Sequence, residues 1–220
     1  MKIIVTGATG MVGAEVIRQA ILDKDIEEIT AIVRKPLSIT HPKLKTVIHN
    51  NFLDYSELSD VFKANDACIW CLGISQSQVN KEEYVVITYD YMIAAANEMI
   101  KDNPGITLMF LSGEGADQTE KSRFVFGRIK GRTEKKLQEL PFKKLYIARP
   151  AGIKPVHHNP NAPLAYKLFA PLFPIIEFFS PNSVIHSDML AKAMIQIIKK
   201  GYDKVIFDNK ELRIIGRDKY

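Results

Sequence analysis

The chain has 220 residues, of which 46% are apolar and 25% charged, values that exclude a disordered polymer and fit a domain whose core needs no staples. Its formal charge of +5 would suit nucleic acid. However, the basic residues interleave with glutamate, as in "GRTEKKLQEL" (131–140), without a recognition motif or a stacking set of aromatics, so a solvated basic face that attracts an anionic cofactor is expected instead. No apolar run reaches the roughly 18 residues of a membrane span, and "MKIIVTGATG" turns into glycine before a signal-peptide core could form, which predicts a cytoplasmic protein with no membrane attachment.

"KIIVTG" (2–7) is a β-branched run ending in glycine and predicts a buried strand, and 11–22 carries apolar residues at helical spacing. "ITAIVRK" (29–35), "LKTVIHN" (44–50) and "DACIWCLG" (66–73) predict three more buried strands. The last contains the C-x-x-C of Cys68 and Cys71. Strand residues three apart point to opposite faces, so two buried thiols in a reducing compartment are expected, with neither a disulfide nor a shared metal. A long helix spans roughly 81–101 and stops at "NPG" (103–105). Of its tyrosines, Tyr89 and Tyr91 cannot share a face, and these two and Tyr84 are expected to pack with a wet tip. "ITLMFLSG" (106–113) predicts the fifth strand, 123–140 a helix and "KKLYIARP" (143–150) the sixth strand. Such alternation predicts an α/β fold, a doubly wound parallel sheet of the Rossmann kind.

After Pro150 comes a proline-rich loop (152–163), then an apolar, proline-broken helical stretch (164–179). "SDMLAKAMIQIIKK" (187–200) predicts a helix with Ser187 or Asp188 as its cap, and "KVIFDNKELRII" (204–215) one or two short strands. No linker separates this part, so 1–220 reads as one domain, with 151–220 as a small C-terminal cap on the substrate side. His157 and His158 follow the sixth strand's carboxyl end, where open α/β sheets bind ligands, and histidine titrates in a useful range. A catalytic role for one of them stands against an ordinary solvated loop.

The most informative stretch is "TGATGMVG" (6–13), which follows a strand and opens a helix. Gly7 permits the tight turn, Gly10 lets backbone approach a pyrophosphate, and Gly13 lets helix and strand pack closely, with the helix N-terminus facing the anion. This pattern predicts dinucleotide binding. At the end of the second strand stand Arg34 and Lys35, with no acid to take a ribose 2′-hydroxyl, so NADP(H) is expected over NAD(H).

In "SRFVFGRIKG" (122–131), Phe126 precedes Lys130 by one helical turn. Carbonyl reductases use a tyrosine and a lysine in this relation, the cation lowering the phenol's pKa. Here the hydroxyl is missing. The spacing alone leaves open an enzyme with another proton donor, a protein without chemistry, and a core aromatic beside a surface lysine.

With their surroundings, these residues resemble the atypical short-chain dehydrogenase/reductase family, whose glycine loop reads T-G-x-x-G-x-x-G. The chain is most similar to the Tat-interacting-protein-like branch of NADP(H)-binding oxidoreductases. The likeness runs from "VTGATGMVG" through "CLG" (71–73), "YDYMIAAANE", "LSGEGAD", "FVFGRIKGRTEKKL" and "IARPAGI". The resemblance implies that Gly7, Thr9, Gly10, Met11 and Val12 hold the pyrophosphate and Arg34 the 2′-phosphate. It further implies that Asn51 and Phe52 flank the adenine, that Leu72 and Gly73 line the ribose, and that Arg149, Pro150 and the chain to Ile153 pass the nicotinamide. Ser112 falls on the family's catalytic serine and Lys130 on the lysine that holds the nicotinamide ribose. Phe126 takes the place of the family tyrosine, and Asn51 that of an aspartate.

Two classes of function follow. One is a reductase of a small carbonyl or conjugated substrate, in which Lys130 positions the ribose and Ser112 binds the substrate oxygen. The other is a non-catalytic NADP(H)-binding sensor or scaffold that acts through a protein partner. Monomer and homodimer are both compatible with either.

Overall fold

Strand β1 (Lys2–Thr6) sends Ile3 and Val5 to one side and Ile4 to the other, and all three are fully buried. Burial on both faces is what a central parallel strand requires. The same alternation recurs in β2 (Glu28–Val33), β4 (Ala67–Trp70) and β5 (Thr107–Leu111). With β3 (Leu44–Ile48), β6 (Lys144–Arg149) and the late strand β9 (Ile206–Asp208) they form one seven-stranded sheet in the order β3-β2-β1-β4-β5-β6-β9, every pair parallel. The computed structural model describes residues 1–157 and 181–217.

Helices cover both faces. On one lie α1 (Met11–Leu22), α6 (Ser187–Lys200) and α7 (Asn209–Arg217), burying Val16, Ile17, Leu190, Met194 and Leu212. On the other lie α2 (Ser59–Lys63), α4 (Tyr91–Asp102) and α5 (Val125–Glu139), burying Phe62, Met92, Met99 and Leu137. The chain runs outward from β1 through β2 to β3, then returns to β4 beside β1 and runs the other way. This reversal opens a crevice at the carboxyl ends of β1 and β4, the place where such sheets bind ligands. Among the described residues no helix is long and apolar enough to cross a membrane.

Several sequence expectations need correction. The third strand is not buried: β3 is the sheet's edge, and Ile48 stays 48% exposed. The long helix expected over 81–101 is present and unbroken, with a π-helical turn (Val86–Asp90) joining α3 (Lys81–Val85) to α4. Neither Ser187 nor Asp188 caps α6. His186 holds the cap position, Ser187 Oγ accepts from the Val156 amide at 3.1 Å, and Asp188 Oδ1 accepts from the Met189 amide at 2.7 Å. After β9 the chain forms α7 and no second strand. Asp208 Oδ1 accepts from the Glu211 amide at 2.8 Å and Glu211 Oε2 from the Asp208 amide at 3.0 Å, a reciprocal cap that starts a helix.

Of the described residues in 151–220, β9, α6 and α7 belong to the layered sandwich itself. Over the rim, a short parallel pair joins β7 (Gly152–Lys154) to β8 (Val184–His186). The stretch 164–179 and His158 lie outside the described residues. Cys68 sits in one core layer and Cys71 against the other, both as free thiols whose pKa burial raises, Cys71 to about 12.

Candidate active site

The turn between β1 and α1 is made by three glycines with different duties. Gly7 has φ +65°, and a side chain there would stand 2.5 Å from the Cys71 carbonyl oxygen. At Gly13 a Cβ would lie 2.2 Å from the Gly7 oxygen, so helix and turn touch through backbone alone. Around Gly10 only the Gly7 oxygen is near, at 3.1 Å, and the outer side is open. The amides of the first turn of α1 have no carbonyl within the helix to bond, and they face that opening. Open backbone beside unpartnered N–H groups fits a pyrophosphate.

Around this turn stand the other sequence candidates. Thr9 is exposed, Met11 half-buried and Val12 buried. Arg34 and Lys35 follow β2 directly, both exposed, and among the described residues neither has a carboxylate partner. Asn51 is exposed and accepts from the Leu53 amide, whereas the Phe52 ring turns into the core against His49, Tyr55 and Tyr91. Asn51 is thus the side chain left at that rim. Leu72, half-buried, donates its amide to Thr6 Oγ1 at 3.2 Å, and Gly73 has open space on its Cα.

The second part of the site is the face of α5. Phe126, Lys130 and Glu134 recur at every fourth position and form one stripe. Gly127 and Gly131 press the helix onto the loop after β5, where a Cβ on Gly131 would stand 2.0 Å from the Asp117 carbonyl. Lys130 Nζ donates to the Leu111 carbonyl at 2.8 Å and lies 4.7 Å from the centre of the Phe110 ring. Burial lowers its pKa to about 8, against the pull of Glu134 and Cys71. The tip of the Phe126 ring lies 2.7 Å from where a Cβ on Gly113 would stand, and its amide donates to Gln76 Oε1 at 2.9 Å.

Ser112 follows β5, and its Oγ donates to Glu134 Oε1 at 2.5 Å. Arg149, at the end of β6, turns its guanidinium to the same carboxylate, Nε to Oε1 at 2.9 Å and Nη2 to Oε2. That hydrogen bond raises the pKa of Arg149. Gln118 Nε2 adds a donor to Oε2 at 3.0 Å. Glu134 is wholly buried. Sequence reasoning missed it, although the stripe already set by Phe126 and Lys130 reaches it one turn later. Beside this cluster a cavity of about 420 Å³ opens, lined by Ser112, Gly113, Phe126, Pro150, Ile153 and Ser183 among others.

His157 does not reach this cavity. Its Nδ1 lies 3.1 Å from Glu15 Oε2 on α1, and it lines a separate hollow of about 420 Å³ with Met11 and Leu37. Of the tyrosines, Tyr84 is fully buried, Tyr91 packs on Phe52, and Tyr89 lies under Arg132 at 4.2 Å.

The chain is similar to known proteins in sequence and in fold. Protein HTATIP2 of Rattus norvegicus is 24% identical over 225 residues, covering 99% of this chain and 90% of that protein. Leucinostatins biosynthesis cluster protein T of Purpureocillium lilacinum is 31% identical over 160 residues, 70% of this chain and 58% of its own length. Protein FMP52, mitochondrial, of Candida albicans is 26% identical over 160 residues, 70% of this chain and 67% of that protein. Among solved structures, UDP-glucose 4-epimerase of Thermotoga maritima superposes with a TM-score of 0.71 at 14% identity, covering 100% of this chain and 84% of that one. An oxidoreductase of the short-chain dehydrogenase/reductase family from Burkholderia thailandensis does so with 0.70 at 10% identity, covering 97% and 92%. The family model described as NAD(P)H-binding matches residues 7–137, and the chain belongs to that family.

Proposed function

We propose that the protein is an NADPH-dependent reductase of a small carbonyl or conjugated substrate. The observation that carries this reading is the cavity at the carboxyl ends of β5 and β6, lined by Ser112 and Phe126 and left open where a retired site could be filled by apolar side chains. NADPH, when bound, supplies a hydride. The chain's own residues would hold and orient it: the glycine turn would take the pyrophosphate, Arg34 and Lys35 the 2′-phosphate, and Lys130, which fixes the end of β5 through Leu111, the nicotinamide ribose. Phe126 offers a flat apolar wall. A conjugated substrate spreads the charge that hydride addition creates and collects its proton from water in the open cavity, so no phenol is needed.

NADPH and NADH are titrated calorimetrically into the wild type and Arg34→Ala, and NADPH oxidation is followed with a panel of quinones and aldehydes. Expected are tighter NADPH binding that falls about tenfold or more in Arg34→Ala, and turnover of quinones. Equal affinity for both cofactors sinks the NADP(H) preference. Phe126 favours a second reading, a sensor of NADP(H) that acts through a protein partner, and this takes over if cofactor binds while no substrate is turned over. A cytoplasmic site of action goes with the proposal. The relatives named mitochondrial make cell fractionation its check.

A further inference from the structure

Four hydrogen bonds converge on the two oxygens of Glu134, and the donors are unequal in kind. Arg149 and the amide nitrogen of Gln118 can only donate. Ser112 is the one member able to play either part. A carboxylate paired with Arg149 can only accept, so in its contact with Glu134 the Ser112 hydroxyl is the donor. The single proton of Ser112 is therefore committed to Glu134, away from the cavity that Ser112 lines. What its Oγ can show to the cavity is lone pairs. Glu114 lines the same cavity, and Phe126 brings no donor where a tyrosine would.

We propose that the Glu134–Arg149 pair fixes Ser112 as a hydrogen-bond acceptor, so that the substrate of this site presents an O–H or N–H group to Ser112 and not a bare carbonyl oxygen. This rests on the reading of the cavity as a substrate site, and it narrows the substrate class to conjugated molecules that carry a hydroxyl or N–H donor beside the group that takes the hydride, as a hydroxyquinone does. Glu134 is then a positioning residue acting through Ser112. A carbonyl oxygen placed against Ser112 meets lone pair with lone pair, which disfavours it by about ten- to a hundredfold against a donor of the same shape.

The test uses the full chain saturated with NADP⁺. In the wild type the Ser112 hydroxyl proton gives a downfield NMR resonance in slow exchange, and it vanishes in Ser112→Ala and Glu134→Gln. Binding of 2-naphthol, 2-methoxynaphthalene and 2-tetralone is then measured by calorimetry. The wild type prefers 2-naphthol to both others by about tenfold or more. Ser112→Ala loses the preference, and Glu134→Gln, whose neutral amide holds the serine proton less firmly, shifts it toward 2-tetralone. A purely structural Glu134 would weaken all three probes alike. Should Glu134→Gln fail to fold, Ser112→Ala still decides. The inference is overturned by a missing resonance, by 2-tetralone binding as well as 2-naphthol, or by a preference that survives Ser112→Ala. In the latter two cases the probes still bind and the cavity stands as a substrate site. If no probe binds and no quinone is reduced, the reductase reading falls and takes the inference with it.

Discussion

The glycine turn and the polar stripe of α5 stand on the same rim of the sheet, but they are made of opposite materials. The turn works by what is missing: Gly7 and Gly13 leave backbone against backbone, and Gly10 leaves open space. The stripe works by what converges, since Ser112 from β5, Arg149 from β6 and Gln118 from the intervening loop all reach one carboxylate on α5. A site made of backbone tolerates almost any neighbour and no added Cβ. A site made of side chains depends on every member, because each leaves the others buried without a partner.

The sharpest way to break the second region is Glu134→Leu. It leaves Arg149 with a side chain only 25% exposed and no counter-charge, together with an unpartnered Ser112. A loss of about 3–5 kcal/mol in urea unfolding is expected. A loss below about 1 kcal/mol would show that the cluster relaxes into water and is not the rigid frame described above.

Lys130 gives the same region a pH signature. In the folded protein its proton leaves near pH 8, whereas the unfolded chain keeps it to the ordinary value of 10.5. Between these values the unfolded chain binds more protons, so stability rises with pH, by about 3 kcal/mol in all. Lys130→Met should flatten that rise while the rest of the profile keeps its shape. An unchanged profile means that Lys130 keeps its proton when folded.

Gly10→Val separates the two regions. The added methyl groups occupy the open side of the turn, so NADPH binding should fall at least about a hundredfold, near 2.7 kcal/mol, while the melting temperature and the 2-naphthol preference of the α5 site move little. Cofactor affinity that persists in the folded variant would relocate the pyrophosphate.

The difference in materials also explains what the sequence made legible. Glycine spacing after a β-branched run is a local statement, so the turn, its strand and α1 could be read directly. Lys130 stands out by its distance to Phe126, but that spacing fits a surface lysine equally, and its burial follows from the packing of α5 on the end of β5. Glu134 could not be given its meaning, because nothing local says that β5 and β6 end opposite it. The burial of β3 was misjudged for a related reason: "LKTVI" looks like any inner strand, and only its place at the sheet's edge exposes it. His157 is drawn to Glu15, 142 positions earlier. The helix α7 was legible, however, in the D-x-x-E of Asp208 and Glu211, which the alternation in "ELRII" masked.

The smallest expected effect joins the two regions at Phe126. Its ring tip already rests on Gly113, next to Ser112, so Phe126→Tyr drives a hydroxyl against that glycine, and the ring shifts to bring the new group to the cavity wall. Lys130, one turn away and charged at neutral pH, lowers the pKa of that phenol. The new group supplies the proton donor that Ser112, bound to Glu134, does not. Reduction of a test aldehyde should rise about tenfold, short of the 10²- to 10⁴-fold of a fully placed general acid because the cavity did not form around it. Stability should fall by about 1–2 kcal/mol as the ring moves off Gly113. Lys130→Ala in the same background should remove the gain. If aldehyde reduction stays flat while quinone reduction persists and Lys130→Ala cripples it, the site runs without a protein acid and the proton comes from water. If neither substrate is reduced by any variant that still binds NADPH, the α5 stripe serves architecture alone, and the glycine turn is the one region of the rim that acts on a ligand.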